Sequence, residues 1–188
     1  MANLLTGLRL LLAVPAALAF LRTGFLSPPL LVTLMIIAIA TDFLDGIVAR
    51  WLGTASPRGQ LFDHATDFLF VTAGLAGAAI AGLVPAALPI LIVVAFSQYV
   101  LDSYFLHREK QLRMSFLGRG NGILYFVPLV LIAVSRLGFM AGAGEISPIM
   151  IMALSYMLLF STVASIIDRA IAPLRANRFA PEPQPSLR

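Results

Sequence analysis

Apolar runs of near-bilayer length recur along this chain with only short polar breaks, and that recurrence restricts its possible folds more than any other feature. "LLLAVPAALAFL", "LLVTLMIIAIA", "FLFVTAGLAGAAIAGLV", "LPILIVVAF", "ILYFVPLVLIAV" and "IMIMALSYMLLF" follow one another. A helix needs roughly 20 predominantly apolar residues to cross a bilayer. Of the 188 residues, 60% are hydrophobic and only 12% charged, against about 25% charged in a soluble domain. No water-soluble core of this size can absorb so many runs, so the chain reads as an integral membrane protein. Arg9 interrupts the region before the first run, and no polar, small-residue cleavage region precedes the second. The first run therefore reads as a retained helix rather than a secretory signal.

Six transmembrane helices are expected: Leu5–Leu21, Pro29–Arg50, Gln60–Leu83, Ala87–Leu106, Gly122–Arg136 and Ser147–Ala170. Pro85 breaks the chain before the fourth, and Ser147-Pro148 starts the last, since proline is tolerated early in a helix. The small residues of "TAGLAGAAIAG" suit close helix packing. Residues 1–170 read as one transmembrane domain, and 171–188, rich in proline and charge, as a flexible tail. With the N-terminus in the cytoplasm, Arg9, Arg50, Arg58, Arg108, Lys110, Arg113, Arg119, Arg169, Arg175, Arg178 and Arg188 fall inside. Only Arg22 and Arg136 fall outside. Eleven against two follows the positive-inside rule, so both termini are expected in the cytoplasm.

Composition also excludes chemistry. Cysteine is absent, which removes disulfides, zinc–thiolate sites, iron–sulfur clusters and cysteine nucleophiles. The net charge of +4 does not indicate nucleic acid, because the basic residues form no separate domain with interleaved aromatics. They sit beside membrane segments, where anionic headgroups are the natural partner.

Within this apolar chain, "TDFLDGIVARWLGTASPRGQLFDHATDF" holds four of nine carboxylates. Asp42 and Asp45 lie three apart, and Asp63 and Asp67 four apart, so each pair shares one helical face. An intervening turn lets two antiparallel helices present all four to one cytoplasmic cleft. Such charges are costly in hydrocarbon, and Arg50 and Arg58 offset only part of them. A hard divalent cation such as magnesium, held by carboxylate oxygens, solves the problem and orients phosphate. Two other readings stay open on spacing alone: interface or helix-capping aspartates, with Asp63 as a cap, and an ion or proton pathway. Gly46, beside Asp45, and Gly59 permit close approach of a ligand or helix.

The pattern D-x2-D-G-x2-A-R-x8-G-x3-D-x3-D, supplied here by Asp42, Asp45, Gly46, Ala49, Arg50, Gly59, Asp63 and Asp67, resembles that of the CDP-alcohol phosphatidyltransferases. "NLLTGLR" is similar to the family's N-terminal stretch, which places Asn3, Thr6 and Arg9 near the cleft. The resemblance implies transfer of a phosphatidyl group from a CDP-diacylglycerol-like donor to a hydroxyl acceptor, releasing CMP. It also implies a six-helix homodimer, in the inner (cytoplasmic) membrane of a prokaryote, with a polar cavity open to the cytoplasm and to membrane phospholipids. Carried over, the resemblance implies that Asp42, Asp45, Asp63 and Asp67 hold two divalent cations, magnesium or manganese, and that Asp67 is the general base. Asn3, Thr6, Gly46, Ala49, Arg50 and Gly59 belong to the nucleotide side.

His64 points about 100° from Asp63 on a helix and reads as packing or interfacial hydrogen bonding. Glycerophosphate-transferring members often read "DPxADK" where this chain has "DHATDF", with His64 for the proline and Phe68 for the lysine. That weakens assignment to a phosphatidylglycerophosphate synthase. For a phosphorylated acceptor such as glycerol 3-phosphate or inositol phosphate, Arg113 and Arg119 are the expected contacts. Tyr99, Asp102 and Tyr104 either line the cleft or occupy its interfacial end. The competing function classes are a divalent-cation transporter and a catalytically inactive membrane scaffold.

Overall fold

The computed structural model describes residues 2–51, 57–101, 116–138 and 146–178. All secondary structure among them is helical: α1 (Ala2–Leu21), α2 (Pro28–Trp51), α3 (Pro57–Ile80), α4 (Ala87–Leu101), α5 (Phe116–Leu124), α6 (Phe126–Ser135) and α7 (Pro148–Arg178). Proline opens α2, α3 and α7, where its missing N–H has no intrahelical partner to lose. At α7 the Ser147 hydroxyl accepts the Ile149 N–H at 3.2 Å, a side-chain cap.

Several ends differ from expectation, with α1 and α3 each starting three residues earlier, at Ala2 and Pro57. α3 stops at Ile80 rather than Leu83, because Gly82 adopts a left-handed backbone with φ of 75°. The Leu83 N–H then reaches the Ala78 carbonyl and the Gly82 N–H the Ala79 carbonyl, the paired bonds of a Schellman stop. The expected fifth helix starts earlier, at Phe116, and is broken at Tyr125 into α5 and α6. Pro128 accounts for the break: its ring is incompatible with a regular turn against the carbonyl of residue 124. The expected domain limit at residue 170 falls inside α7, which continues to Arg178. The continuation expected for α4, to Leu106, lies outside the described residues, as do residues 179–188.

α1 packs most extensively on α3, and also on α2; α4 lies against α7, and α6 bridges α2, α3 and α7. Small residues set the α1–α3 approach. Ala13, Ala16 and Ala19 of α1 and Ala78 of α3 are buried, and a Cβ on Gly77 would lie 2.2 Å from the Ala17 carbonyl oxygen. Phe20, Phe70, Leu75, Leu88 and Leu129 fill the centre.

The outer surface stays apolar, with Leu11, Ile80, Ile149 and Phe160 exposed. For a helical bundle, hydrocarbon is the solvent that accepts such a surface, since every helix bonds its own backbone. The fold is therefore all-α and membrane-associated. Among the described residues one helix, over Pro148–Ile171, is long and apolar enough to cross a membrane by itself. Shorter apolar stretches are Thr6–Leu21, Pro28–Leu44, Ala87–Leu101 and Gly120–Ser135. The acidic stretch explains part of the shortfall, because it takes up the facing ends of α2 and α3.

Candidate active site

α1, α2 and α3 meet around three carboxylates. Asp42 comes from α2, and Asp63 and Asp67 from successive turns of α3; one oxygen from each lies within 4.8 Å of the others. Arg9 of α1 faces them. Its Nη1 stands 3.3 Å from Asp42 Oδ1 and 3.3 Å from Asp63 Oδ1, and donates to Asp67 Oδ1. The arginine side chain is 0% exposed, whereas Asp42 is 41% and the other two 25% exposed. The carboxylates are thus reachable from the cavity, and the guanidinium backs them from within the bundle. Thr6, one turn before Arg9, is also buried, and Thr66 is held by its hydroxyl on the Phe62 carbonyl.

These aspartates open onto a cavity of about 590 Å³. Its interior wall is apolar, with Val71, Ile92, Phe126, Val130 and Leu131. Its other polar edge is Gln98 and Tyr99 of α4 with Ser165 and Arg169 of α7. The Arg169 guanidinium lies 5.3 Å from the Tyr99 ring centre, within cation–π range. Gln98 Nε2 donates to the Ile166 carbonyl at 3.3 Å, tying α4 to α7. Phe68 and Phe96 stack with centroids 4.1 Å apart and planes 7° from parallel, which joins α3 to α4 beside the acidic end.

The expected site residues divide accordingly. Asp42, Asp63 and Asp67 come together. His64 lines the same cavity, because residues 63, 64, 67, 68 and 71 form one side of α3 turned toward it. Tyr99 lines the cleft. Gly59 lies within α3, and Asp45, Gly46, Ala49 and Arg50 within α2; Asn3 is on α1 and Arg119 on α5. Side chains at 3, 45, 49, 50, 58 and 119 lie outside the description, as do Arg113, Asp102 and Tyr104 altogether.

Arg9, expected near the cleft from the N-terminal stretch, stands on the carboxylates themselves, whereas Arg169 and Gln98 are absent from the sequence reading as site residues. Arg169 and Gln98 had no local signal, because α7 and α4 meet the acidic stretch only through the fold.

The donor set fits a divalent cation. Three hard oxygens are clustered, accessible and already converged on one positive nitrogen, and among the described residues one guanidinium faces three carboxylates.

The structure defines an all-α, membrane-associated protein whose clustered carboxylates open onto a largely apolar cavity. The family model for CDP-alcohol phosphatidyltransferase matches residues 1–166, and the chain belongs to that family. Its activity is the phosphatidyltransferase-type transfer typical of the family. Neither the transporter nor the scaffold reading finds support. No curated protein and no solved structure matches the chain.

Proposed function

We propose that this enzyme transfers a phosphatidyl group from a CDP-diacylglycerol-like donor to a small phosphorylated alcohol at the cytoplasmic face of the membrane. The observation that carries the reading is the gathering of Asp42, Asp63 and Asp67 oxygens within 4.8 Å at one end of an apolar cavity. That combination suits a ligand with a diphosphate at one end and acyl chains at the other. Asp42, Asp63 and Asp67, with Asp45 one turn from Asp42 on α2, would hold magnesium or manganese. When bound, the metal neutralises the diphosphate and stabilises the departing CMP.

Asp67 then takes the proton of the acceptor hydroxyl. The acceptor oxygen forms a bond to the phosphorus that carries diacylglycerol, and the bond from that phosphorus to the bridging oxygen of CMP breaks. The electron pair leaves with CMP. On the opposite edge of the cavity Arg169, steadied over Tyr99, offers a charge for an acceptor phosphate, with Arg113 and Arg119 as further contacts. Asn3, Thr6, Gly46, Ala49, Arg50 and Gly59 line the nucleotide side of this reading. Six spans, both termini in the cytoplasm and a homodimer complete it, supported by the positive-inside distribution and by family membership.

The test is a vesicle assay with CDP-diacylglycerol, magnesium or manganese, and separate acceptors including glycerol 3-phosphate and inositol phosphate. CMP release coupled to one lipid product is expected. Absence of CMP formation with every acceptor, from folded protein, would rule the reading out.

A further inference from the structure

Arg9 meets the carboxylates where a metal would have to meet them. One nitrogen, Nη1, is 3.3 Å from Asp42, 3.3 Å from Asp63 and hydrogen-bonded to Asp67. Oxygens that lie within 4.8 Å of one another enclose room for one cation at metal–oxygen distances of roughly 2.0–2.6 Å. A guanidinium nitrogen on the same three oxygens and a divalent ion among them would also repel at close range. We propose that Arg9 is a resident counter-cation that holds Asp42, Asp63 and Asp67 together before metal arrives and yields their oxygens to a divalent ion. The affinity for metal is then set by competition with this guanidinium, a proposal that rests on the metal reading above.

The placement gives Arg9 two opposed effects. It joins α1 to α2 and α3 through buried charge, so metal-free protein depends on it: without it, three carboxylates face one another without the guanidinium that contacts all three. It also occupies oxygens that the ion needs, so its removal favours metal. A residue that merely shaped the cradle would act in one direction only, and its loss would weaken both the fold and metal binding. Opposite signs for the two quantities therefore separate competition from support.

The experiment compares wild type, Arg9→Gln and Arg9→Lys in lipid nanodiscs, without substrate. Mn²⁺ binding is read by electron paramagnetic resonance, and melting temperature is measured in chelator and in Mn²⁺. Arg9→Gln is expected to melt lower in chelator and to bind Mn²⁺ about tenfold more tightly, the order of one charge-assisted hydrogen bond. Mn²⁺ should raise its melting temperature by more than that of wild type. Arg9→Lys, with a shorter point charge, should bind Mn²⁺ more tightly than wild type by a smaller factor. It carries the test should Arg9→Gln not fold. Wild type that binds Mn²⁺ while the folded variants bind it equally or more weakly would overturn the competition and leave the metal reading standing. Wild type that binds no Mn²⁺ would overturn both.

Discussion

Asp67 and Asp42 share a cluster but differ in setting. Asp67 lies on the second turn of the α3 acidic pair and is 25% exposed, while Asp42, on α2, is 41% exposed. With Asp67 as base, Asp67→Asn removes proton acceptance while leaving an amide oxygen in the cradle. Turnover at saturating Mn²⁺ should fall by about 10²–10⁴-fold, with Mn²⁺ affinity also reduced because Asp67 is one of the ligands. Asp42→Asn should instead show its main loss in Mn²⁺ affinity. Parallel turnover and Mn²⁺ titrations decide between these roles, and unchanged turnover in Asp67→Asn refutes the base assignment. Across the cavity, Arg169→Ala should raise the acceptor KM by about tenfold, the order of one charged contact, and leave the donor KM near wild type. Arg169 also shows why residue-scale reading had a limit. The acidic spacings are local and survive translation into sequence, whereas Arg169 meets the site only because α7 lies against α4.

At the scale of elements, the α1–α3 interface positions Arg9 over Asp63 and Asp67, and two glycines on α3 test how closely it is fitted. A methyl on Gly77 would meet backbone, the Ala17 carbonyl oxygen at 2.2 Å, so whole helices would have to part. A methyl on Gly74 would meet the ends of a flexible side chain, Leu129 Cδ1 at 3.0 Å and Cδ2 at 3.3 Å. Gly77→Ala should therefore cost about 3 kcal/mol, the upper end of ordinary overpacking, and Gly74→Ala less than about 1 kcal/mol. Denaturation in mixed micelles, followed by helical circular dichroism, gives both values. The small-residue run was legible as a packing surface; which glycine touches backbone was not, because that depends on how α1 crosses α3. The break at Tyr125 was legible in principle, since Pro128 is in plain view, but a continuous apolar run concealed it. Two bonds tie α5 and the break itself to α7: a buried one between the Tyr125 and Thr162 hydroxyls at 2.7 Å, and a partly buried one from the Ser161 hydroxyl to Asn121 Oδ1 at 2.7 Å.

For the molecule as a whole, the two ends of the bundle differ in charge in a way that bears on its insertion. At one end Arg136 donates to the Ala19 and Phe20 carbonyls at 2.6 and 3.2 Å, satisfying the last turn of α1, and Arg22 follows directly. At the other end are Arg9, the aspartates and Arg169. The structure thus separates Arg22 and Arg136 from the site, as the charge asymmetry of the sequence anticipates, and the proposed orientation, with the site facing the cytoplasm, rests on the positive-inside rule. Because the chain contains no cysteine, single introduced thiols report on this without background. Thr23, exposed after α1, and Trp51, exposed at the end of α2, mark opposite ends. Thr23→Cys should react with a membrane-impermeant maleimide in intact spheroplasts. Trp51→Cys should react only after permeabilisation. The reverse pattern would place the carboxylates on the outer face, away from a nucleotide-linked donor made in the cytoplasm, and would overturn the proposed orientation while leaving the family assignment intact.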